Sequence, residues 1–93
     1  MSQLTCTEHF VINNERGLHA RPAALFVQVA SAFSSSVDVF NEDTQIQADG
    51  KSVMSMLMLA APQGTNLRVT ITGEDAPLAM KELGNLICRG FDE

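Results

Sequence analysis

The amino-acid sequence predicts an α+β domain in which a mostly antiparallel sheet is covered on one face by three helices. Three observations predict it. Short segments of alternating or β-branched residues are interleaved with segments whose apolar residues recur every three or four positions. Short polar clusters containing Gly, Pro, Asn and Ser separate these segments. The 93-residue chain shows no repeat, linker or low-complexity segment, so we expect residues 1–93 to form a single domain.

The composition limits the classes of partner. Six Lys and Arg residues stand against eleven Asp and Glu residues, which gives a net charge of −5. This balance is unfavourable for nucleic acid and for anionic membranes, since both require a basic face. The most apolar stretch, Val53–Ala61, is about half as long as a membrane-spanning helix, and no basic segment followed by an apolar run opens the sequence. We therefore expect a cytoplasmic protein without membrane insertion.

The first half of the chain predicts a strand, a helix and a hairpin. Thr and β-branched residues predict a strand over Leu4–Ile12. Apolar residues at helical spacing predict a helix over about Ala20–Ser34. The polar residues 41–43 join two short segments and predict paired strands over Val37–Phe40 and Gln45–Ala48.

The second half predicts a helix, a strand and a last helix. Ser52 can cap a short helix that runs to about Leu59. Apolar and polar residues alternate over residues 67–72, and this alternation predicts a strand. Asp75 can cap a last helix, and Gly90 suits the left-handed position past its end. The complete order is therefore βαββαβα.

His19 is the first candidate for chemistry, because it lies between Gly17 and the start of a helix and is followed by Arg21. The first amides of a helix have no internal partner, and the helix dipole adds about half a positive charge, so an anion on His19 is stabilised. The same field favours the neutral imidazole that a nitrogen nucleophile needs, and Arg21 can bind phosphate oxygens. The alternatives are a helix cap or a surface residue. His9 lacks these neighbours and is expected to be a solvated strand residue.

A second candidate is the run Gly50, Lys51 and Ser52, which matches the end of a nucleotide-binding P-loop. That loop needs a further glycine at position 45, where this chain has Gln45. The missing glycine argues against nucleotide binding by this loop. We expect Ser52 to cap a helix, where an added phosphate would also be well placed.

The short helix after Ser52 is nearly all apolar, and one short helix cannot bury all of its sides. Its apolar residues are Val53, Met54, Met56, Leu57, Met58 and Leu59. Two interpretations stay open. These residues belong to the core, or some of them form an exposed patch on which the adaptable Met side chains accept several partners.

Neither cysteine predicts a disulfide framework or a metal site. Cys6 and Cys88 form no Cys-x-x-Cys unit, and we expect both to be buried or idle thiols. Cys6 and His9 have metal-ligand spacing, but an odd separation on a strand sends their side chains to opposite faces. We expect no metal and no cofactor.

Residues 17–24, Gly-Leu-His-Ala-Arg-Pro-Ala-Ala, and residues 50–54, Gly-Lys-Ser-Val-Met, resemble the HPr family of histidine phosphocarriers of phosphoenolpyruvate-dependent phosphotransferase systems. The two motifs, their spacing and the element order cover the whole chain. The resemblance implies an open-faced β-sandwich with antiparallel strand order 1-4-2-3 and three helices on one face.

The resemblance also implies roles for individual residues. His19 would receive a phosphoryl group on Nδ1 from phosphorylated Enzyme I and pass it to a downstream EIIA-type acceptor. Ala20 and Arg21 would hold the phosphate, and Ser52 matches a serine that an HPr kinase/phosphorylase modifies in some members. The residues that match the docking surface are Leu18, Val53, Met54 and Leu57.

These features predict a monomeric phosphoryl carrier rather than an enzyme with its own turnover. Two alternatives are a non-catalytic interaction domain that uses the same face and a small-ligand-binding sandwich. The choice between two branches of the family also stays open. The ending Gly90–Glu93 is similar to the nitrogen-related branch, whereas the run at Ser52 is more similar to kinase-regulated members of the sugar branch.

Overall fold

A four-stranded antiparallel sheet forms the frame of the computed structural model, which describes residues 4–93. The strand order is β1-β4-β2-β3, as the family resemblance implies. The strands are β1 (Leu4–Val11), β2 (Ser36–Asn41), β3 (Ile46–Asp49) and β4 (Asn66–Gly73). The helices are α1 (Ala20–Ala30), α2 (Val53–Leu57) and α3 (Ala76–Cys88), followed by a short 3₁₀ turn over Gly90–Asp92. The predicted α+β fold and element order are confirmed.

Alternation along β4 fixes which face of the sheet is buried. Leu67, Val69 and Ile71 are buried, whereas the Arg and Thr residues between them are partly exposed. Successive side chains of a strand point to opposite faces, so one face packs against the helices and the other meets solvent. The inward residues pack with α1 and α3 in one core, to which Phe26 and Leu83 contribute fully buried side chains.

Several helices and strands begin or end at other residues than predicted, because tight turns replace the regular hydrogen-bond pattern there. Helix α1 ends at Ala30 instead of Ser34, and its next residues wind into i→i−3 hydrogen bonds. Helix α2 likewise ends at Leu57 instead of Leu59. Strand β3 begins one residue late because Gln45 adopts a left-handed φ of 65° in the turn. Ile12 lies past β1, where its N–H donates to the Thr65 carbonyl.

Asp75 precedes α3, as predicted, but its side chain does not cap that helix. The carboxylate instead accepts hydrogen bonds from the backbone N–H groups of Ser34 and Ser35, at 2.9 and 3.0 Å, and from both hydroxyls. The bond from the Ser35 hydroxyl, together with the Ser34 N–H, lowers the pKa of Asp75 from 3.8 to about 2. Asp75 therefore ties the start of α3 to the turn after α1.

We expect Asp75→Asn to lower the free energy of unfolding at neutral pH. Because the folded-state pKa is depressed, the ionised carboxylate stabilises the fold above pH 3.8, and that contribution is lost as the pH falls towards 2. Urea unfolding at several pH values should therefore show a difference between wild type and variant that shrinks below pH 4. Asp38→Asn, which changes an exposed carboxylate on β2, is the control. A pH-independent difference would contradict the prediction.

Candidate functional site

The loop from β1 to α1 places His19 at the first turn of the helix. Gly17 adopts a left-handed φ of 69° there, which turns the chain towards α1. The next residue, Leu18, donates its N–H to the Ala61 carbonyl at 2.8 Å and buries its side chain. Leu18 therefore anchors the loop in the core, and its place in a docking surface stays a prediction.

His19 is the N-cap residue of α1, in extended backbone conformation, and its ring makes no capping hydrogen bond. Its carbonyl accepts the first helical bond, from Ala23 N–H at 3.0 Å. The N–H groups of Ala20 and Arg21 have no partner inside the helix by geometry, and Pro22 has no N–H at all. Two backbone donors and the positive helix end therefore lie directly after the imidazole.

Glu93 binds the His19 ring from the far end of the chain. The distance from His19 Nε2 to Glu93 Oε2 is 2.7 Å, and the two side chains are 27% and 18% exposed. Asn14 Nδ2 donates to Glu93 Oε1 at 2.9 Å and to the Gly17 carbonyl at 2.7 Å. Burial raises the pKa of the Glu93 carboxyl, but the hydrogen bonds from Asn14 and His19 outweigh it and leave that pKa below its usual value.

The Glu93 contact selects a tautomer of His19. An ionised carboxylate only accepts hydrogen bonds, so the ring proton is assigned to Nε2. In the neutral imidazole the lone pair then lies on Nδ1. The arrangement therefore provides a nitrogen nucleophile whose other nitrogen is held by a carboxylate, which is itself held by Asn14.

Two clefts flank this group. One of about 330 Å³ is lined by His19 together with Arg16 and residues 60–62. The other, of about 700 Å³, includes Arg16, Arg21, Arg89 and Glu93 in its lining. Among residues 4–93, neither Arg16 nor Arg21 forms an ion pair, whereas Arg89 Nε binds Asp92 Oδ1 at 2.8 Å. Arg21 is close enough to lower the pKa of Glu93 through its charge.

Ser52 caps α2, as predicted. Its Oγ accepts a hydrogen bond from Ser55 N–H at 3.2 Å, and Ser55 Oγ in turn accepts one from Asp49 N–H at 2.8 Å. Lys51 Nζ donates to the Phe33 carbonyl at 2.7 Å, so this ammonium is bound to the turn after α1. The structure places Ser52 in a separate hydrogen-bonded turn from His19.

Helix α2 divides its apolar residues between the core and the surface, which settles the question that the sequence leaves open. Met56 and Leu59 are buried, whereas Met54 and Met58 are 70% and 69% exposed. Val53 and Leu57 are also exposed. We call the surface formed by Val53, Met54, Leu57 and Met58 the α2 patch. Helix α2 packs beside α1, and the segment after it lines the smaller cleft with His19.

Comparison with known proteins identifies the family. The family model described as "PTS HPr component phosphorylation site" matches residues 6–89. The chain belongs to the HPr family. It is 41% identical to the phosphocarrier protein HPr of Xylella fastidiosa over 87 residues, which cover 92% of this chain and 96% of that protein. The relatives of Xylella fastidiosa and Pseudomonas aeruginosa are phosphocarrier proteins, and the family model describes a phosphorylation site of the phosphotransferase system.

Two other relatives extend the comparison. The HPr domain is 42% identical to part of the multiphosphoryl transfer protein of Salmonella typhimurium, covering 90% of this chain but 23% of that protein. A crystal structure of HPr-C-His from Thermoanaerobacter tengcongensis superposes with a TM-score of 0.84 at 40% identity. That match covers 100% of this chain and 98% of the other. The chain thus spans less than a quarter of the multiphosphoryl transfer proteins that it matches.

Other predicted sites lie apart from His19. His9 is exposed on β1, as predicted, with Nε2 3.2 Å from Glu42 Oε1. Cys6 and Cys88 are free thiols; Cys6 is half-buried, and Cys88 is exposed at the end of α3. Among residues 4–93, no three His, Cys, Asp or Glu residues are grouped as a metal site. No helix in that range is long and apolar enough to cross a membrane.

Sequence reasoning missed Asn14 and Glu93 as site residues. Asn14 is buried, and its Oδ1 has no hydrogen-bond partner, although Nδ2 has two. The HPr site is therefore supported by a side chain that is more buried than the histidine it serves. A polar pair at positions 13 and 14, next to a strand end, is typical of a turn and gave no signal of this role.

Proposed function

We propose that this HPr domain accepts a phosphoryl group on Nδ1 of His19 from phosphorylated Enzyme I and passes it to an EIIA-type acceptor. The supporting observation is the 2.7 Å contact from His19 Nε2 to Glu93, which leaves the Nδ1 lone pair free. Attack by Nδ1 forms the N–P bond while the bond between phosphorus and its donor group breaks. Transfer to the acceptor reverses these two changes.

Donors at the start of α1 stabilise the phosphoryl group after transfer. The Ala20 and Arg21 N–H groups and the positive helix end lie next to the ring, and the Arg21 guanidinium forms no ion pair within residues 4–93. Because no carboxylate within that range holds this guanidinium, it can move to bind the phosphate oxygens. Such moderate binding suits a carrier, because the group must leave as readily as it arrives.

The α2 patch is the docking surface for Enzyme I and the acceptor in this proposal. Its exposed apolar side chains, including Val53, Met54 and Leu57, provide area to bury against a partner, and Met side chains adapt to more than one surface. The segment after α2 lines the cleft beside His19, so a protein bound here reaches the imidazole. We expect the domain to act in the cytoplasm as a monomer.

The proposal is tested by supplying labelled phosphoenolpyruvate and Enzyme I. We expect a phosphate on the protein that is labile in acid and stable in base, as a phosphohistidine is, and that moves on when an EIIA-type acceptor is added. Absence of label would overturn the carrier mechanism. If the protein took up no label but still bound Enzyme I, the interaction-domain alternative would be supported instead.

Glu93→Ala is expected to shift the His19 tautomer and to slow phosphoryl uptake. Removing the acceptor of the Nε2–H bond allows more of the Nδ1–H form, which has no lone pair where the phosphorus must bind. A hydrogen bond to a charged group contributes ~1.5–3 kcal/mol, and we expect part of this as a rate loss of about threefold to tenfold. Nitrogen-15 NMR of the ring measures the tautomer, and single-turnover transfer measures the rate.

Asp92→Ala is the matched control for Glu93→Ala. It removes the neighbouring carboxylate, which binds Arg89 and not His19. We expect this variant to keep the wild-type tautomer balance. An unchanged balance in Glu93→Ala would contradict the positioning role of Glu93.

We also propose that Ser52 is a regulatory phosphorylation site for an HPr kinase/phosphorylase. A phosphate on Ser52 Oγ would lie next to Val53 and Met54 and would place two negative charges beside an apolar docking surface. Incubation with ATP and that kinase should give phosphoserine in wild type and in Ser55→Ala, but not in Ser52→Ala. Absence of phosphoserine in wild type would overturn this proposal.

A further inference from the structure

We infer that Met54 and Met58 form an oxidation-sensitive pair through which peroxide-class oxidants weaken partner docking. The inference rests on the proposed docking role of the α2 patch. Met54 lies in α2 and Met58 is the C-cap residue of that helix, and the Met58 N–H donates to the Met54 carbonyl at 3.2 Å, so the two side chains share one face, one turn apart. Both are more than two-thirds exposed, so each thioether is accessible to a small oxidant.

Two buried methionines of the same domain provide internal references. Met56, between the two exposed residues, is 1% exposed, and Met80 in α3 is 4% exposed. Oxidation follows accessibility when the thioethers are otherwise chemically alike. The structure therefore assigns the reactive sulfurs to one face of α2 and protects the other two described methionines in the core.

The chemical step is a two-electron transfer of one oxygen atom. The Met sulfur attacks an oxygen of hydrogen peroxide, the O–O bond breaks, and methionine sulfoxide and water form. The sulfur is oxidised by two electrons and the peroxide is reduced by two. No cofactor or second protein residue is needed for this step, and methionine sulfoxide reductases reverse it.

The sulfoxides alter the property on which docking depends. Helix α2 has no charged residue, so the α2 patch offers apolar side chains to a partner. A sulfoxide oxygen is a strong hydrogen-bond acceptor, and burying it against an apolar partner surface without a donor is unfavourable. The modification leaves His19 and Glu93 unaltered, so it acts on partner binding and not on the nucleophile.

Peptide mass spectrometry after treatment with hydrogen peroxide tests the site assignment. We expect sulfoxide at Met54 and Met58 well before Met56 and Met80. Disulfides and sulfenic acids formed at Cys6 and Cys88 are reduced by dithiothreitol, which does not reduce sulfoxides, so mapping follows that treatment. Equal oxidation of all four methionines would overturn the assignment.

Transfer kinetics test the functional consequence on the same samples. We expect the KM for phosphorylation by Enzyme I to rise roughly fivefold to tenfold in the oxidised protein, with a smaller change in kcat and recovery after reductase treatment. In Met54→Leu/Met58→Leu, the KM ratio of peroxide-treated to untreated protein should stay near one, whereas Met80→Leu should keep the wild-type rise. An unchanged KM in fully oxidised wild type would overturn the inference. Failure of the untreated protein to accept phosphate would instead overturn the proposed function.

Discussion

His19→Ala is expected to accept no phosphoryl group from Enzyme I, whereas His9→Ala accepts it at the wild-type rate. The alanine removes the only nitrogen nucleophile beside the α1 donors among residues 4–93, and no neighbour can substitute. Glu93 would then lose its partner while keeping its bond from Asn14. Labelling with phosphoenolpyruvate and Enzyme I measures uptake directly. The label on His19→Ala should fall to the detection limit.

His9→Ala is the matched control because it removes the other histidine of the chain, from an exposed position on β1. Its partner Glu42 is also bound by Arg68, so the fold should tolerate the change. Circular dichroism and urea unfolding should show that both variants fold. Label on a folded His19→Ala protein would contradict the assignment of His19 as the phosphorylated residue. Loss of label in His9→Ala would indicate that the phosphorylated residue lies on the open face of the sheet.

The fold could be predicted from sequence because its signals are local. The alternation in β4 determines its buried face, and residues 17–22 mark the start of α1 without reference to the rest of the chain. The strand order required more than pattern, since the residues that pair between β1 and β4 are 55 to 69 positions apart. That order followed from the family resemblance and is confirmed.

Long-range polar contacts could not be predicted in the same way. Glu93 and His19 are separated by 74 positions, and neither residue type nor spacing indicates that they meet. Asp75 shows the same limit. Its position before a helix favours a local cap, but two serine N–H groups about 40 residues earlier provide stronger partners. Side chains with several hydrogen-bonding choices therefore need the tertiary structure before a role can be assigned.

The α2 patch shows what an apolar composition alone leaves undetermined. Helical spacing indicates that Met54 and Met58 share a face, but it does not say whether the sheet covers that face. The structure turns Met56 inward and leaves the other two in solvent. Exposed apolar side chains on a domain of this size favour a binding surface, which supports the proposed docking role of the α2 patch.

Gly17→Ala is expected to lower both the stability of the domain and the rate of phosphoryl uptake. A Cβ at this position would lie 2.5 Å from the Ala61 carbonyl oxygen and 2.8 Å from Pro62 Cα. Both contacts are with backbone, so the loop must move, and the left-handed φ of 69° adds its own strain. We expect a loss of about 2–4 kcal/mol in the free energy of unfolding.

Displacement of the Gly17 backbone affects the site through the two hydrogen bonds that the Gly17 carbonyl accepts. The Gly17 carbonyl accepts the Asn14 Nδ2 and His19 N–H bonds, and the adjacent Leu18 N–H donates to Ala61. Moving Gly17 away from Ala61 therefore shifts both His19 and the residue that holds Glu93. Uptake measured under conditions in which the variant is folded should fall by about tenfold or more, because small displacements of reacting groups are costly.

Gly64→Ala is the control that separates the effect of backbone strain from the effect of a Cβ that contacts residues 61 and 62. Gly64 also has a positive φ, of 91°, but a Cβ built on it meets nothing within 4 Å. We expect this control to lose about 1–2 kcal/mol in the free energy of unfolding through strain alone and to keep wild-type uptake. Equal losses in the two variants would show that the Gly17 effect is conformational strain, and that the contact with residues 61 and 62 does not position His19.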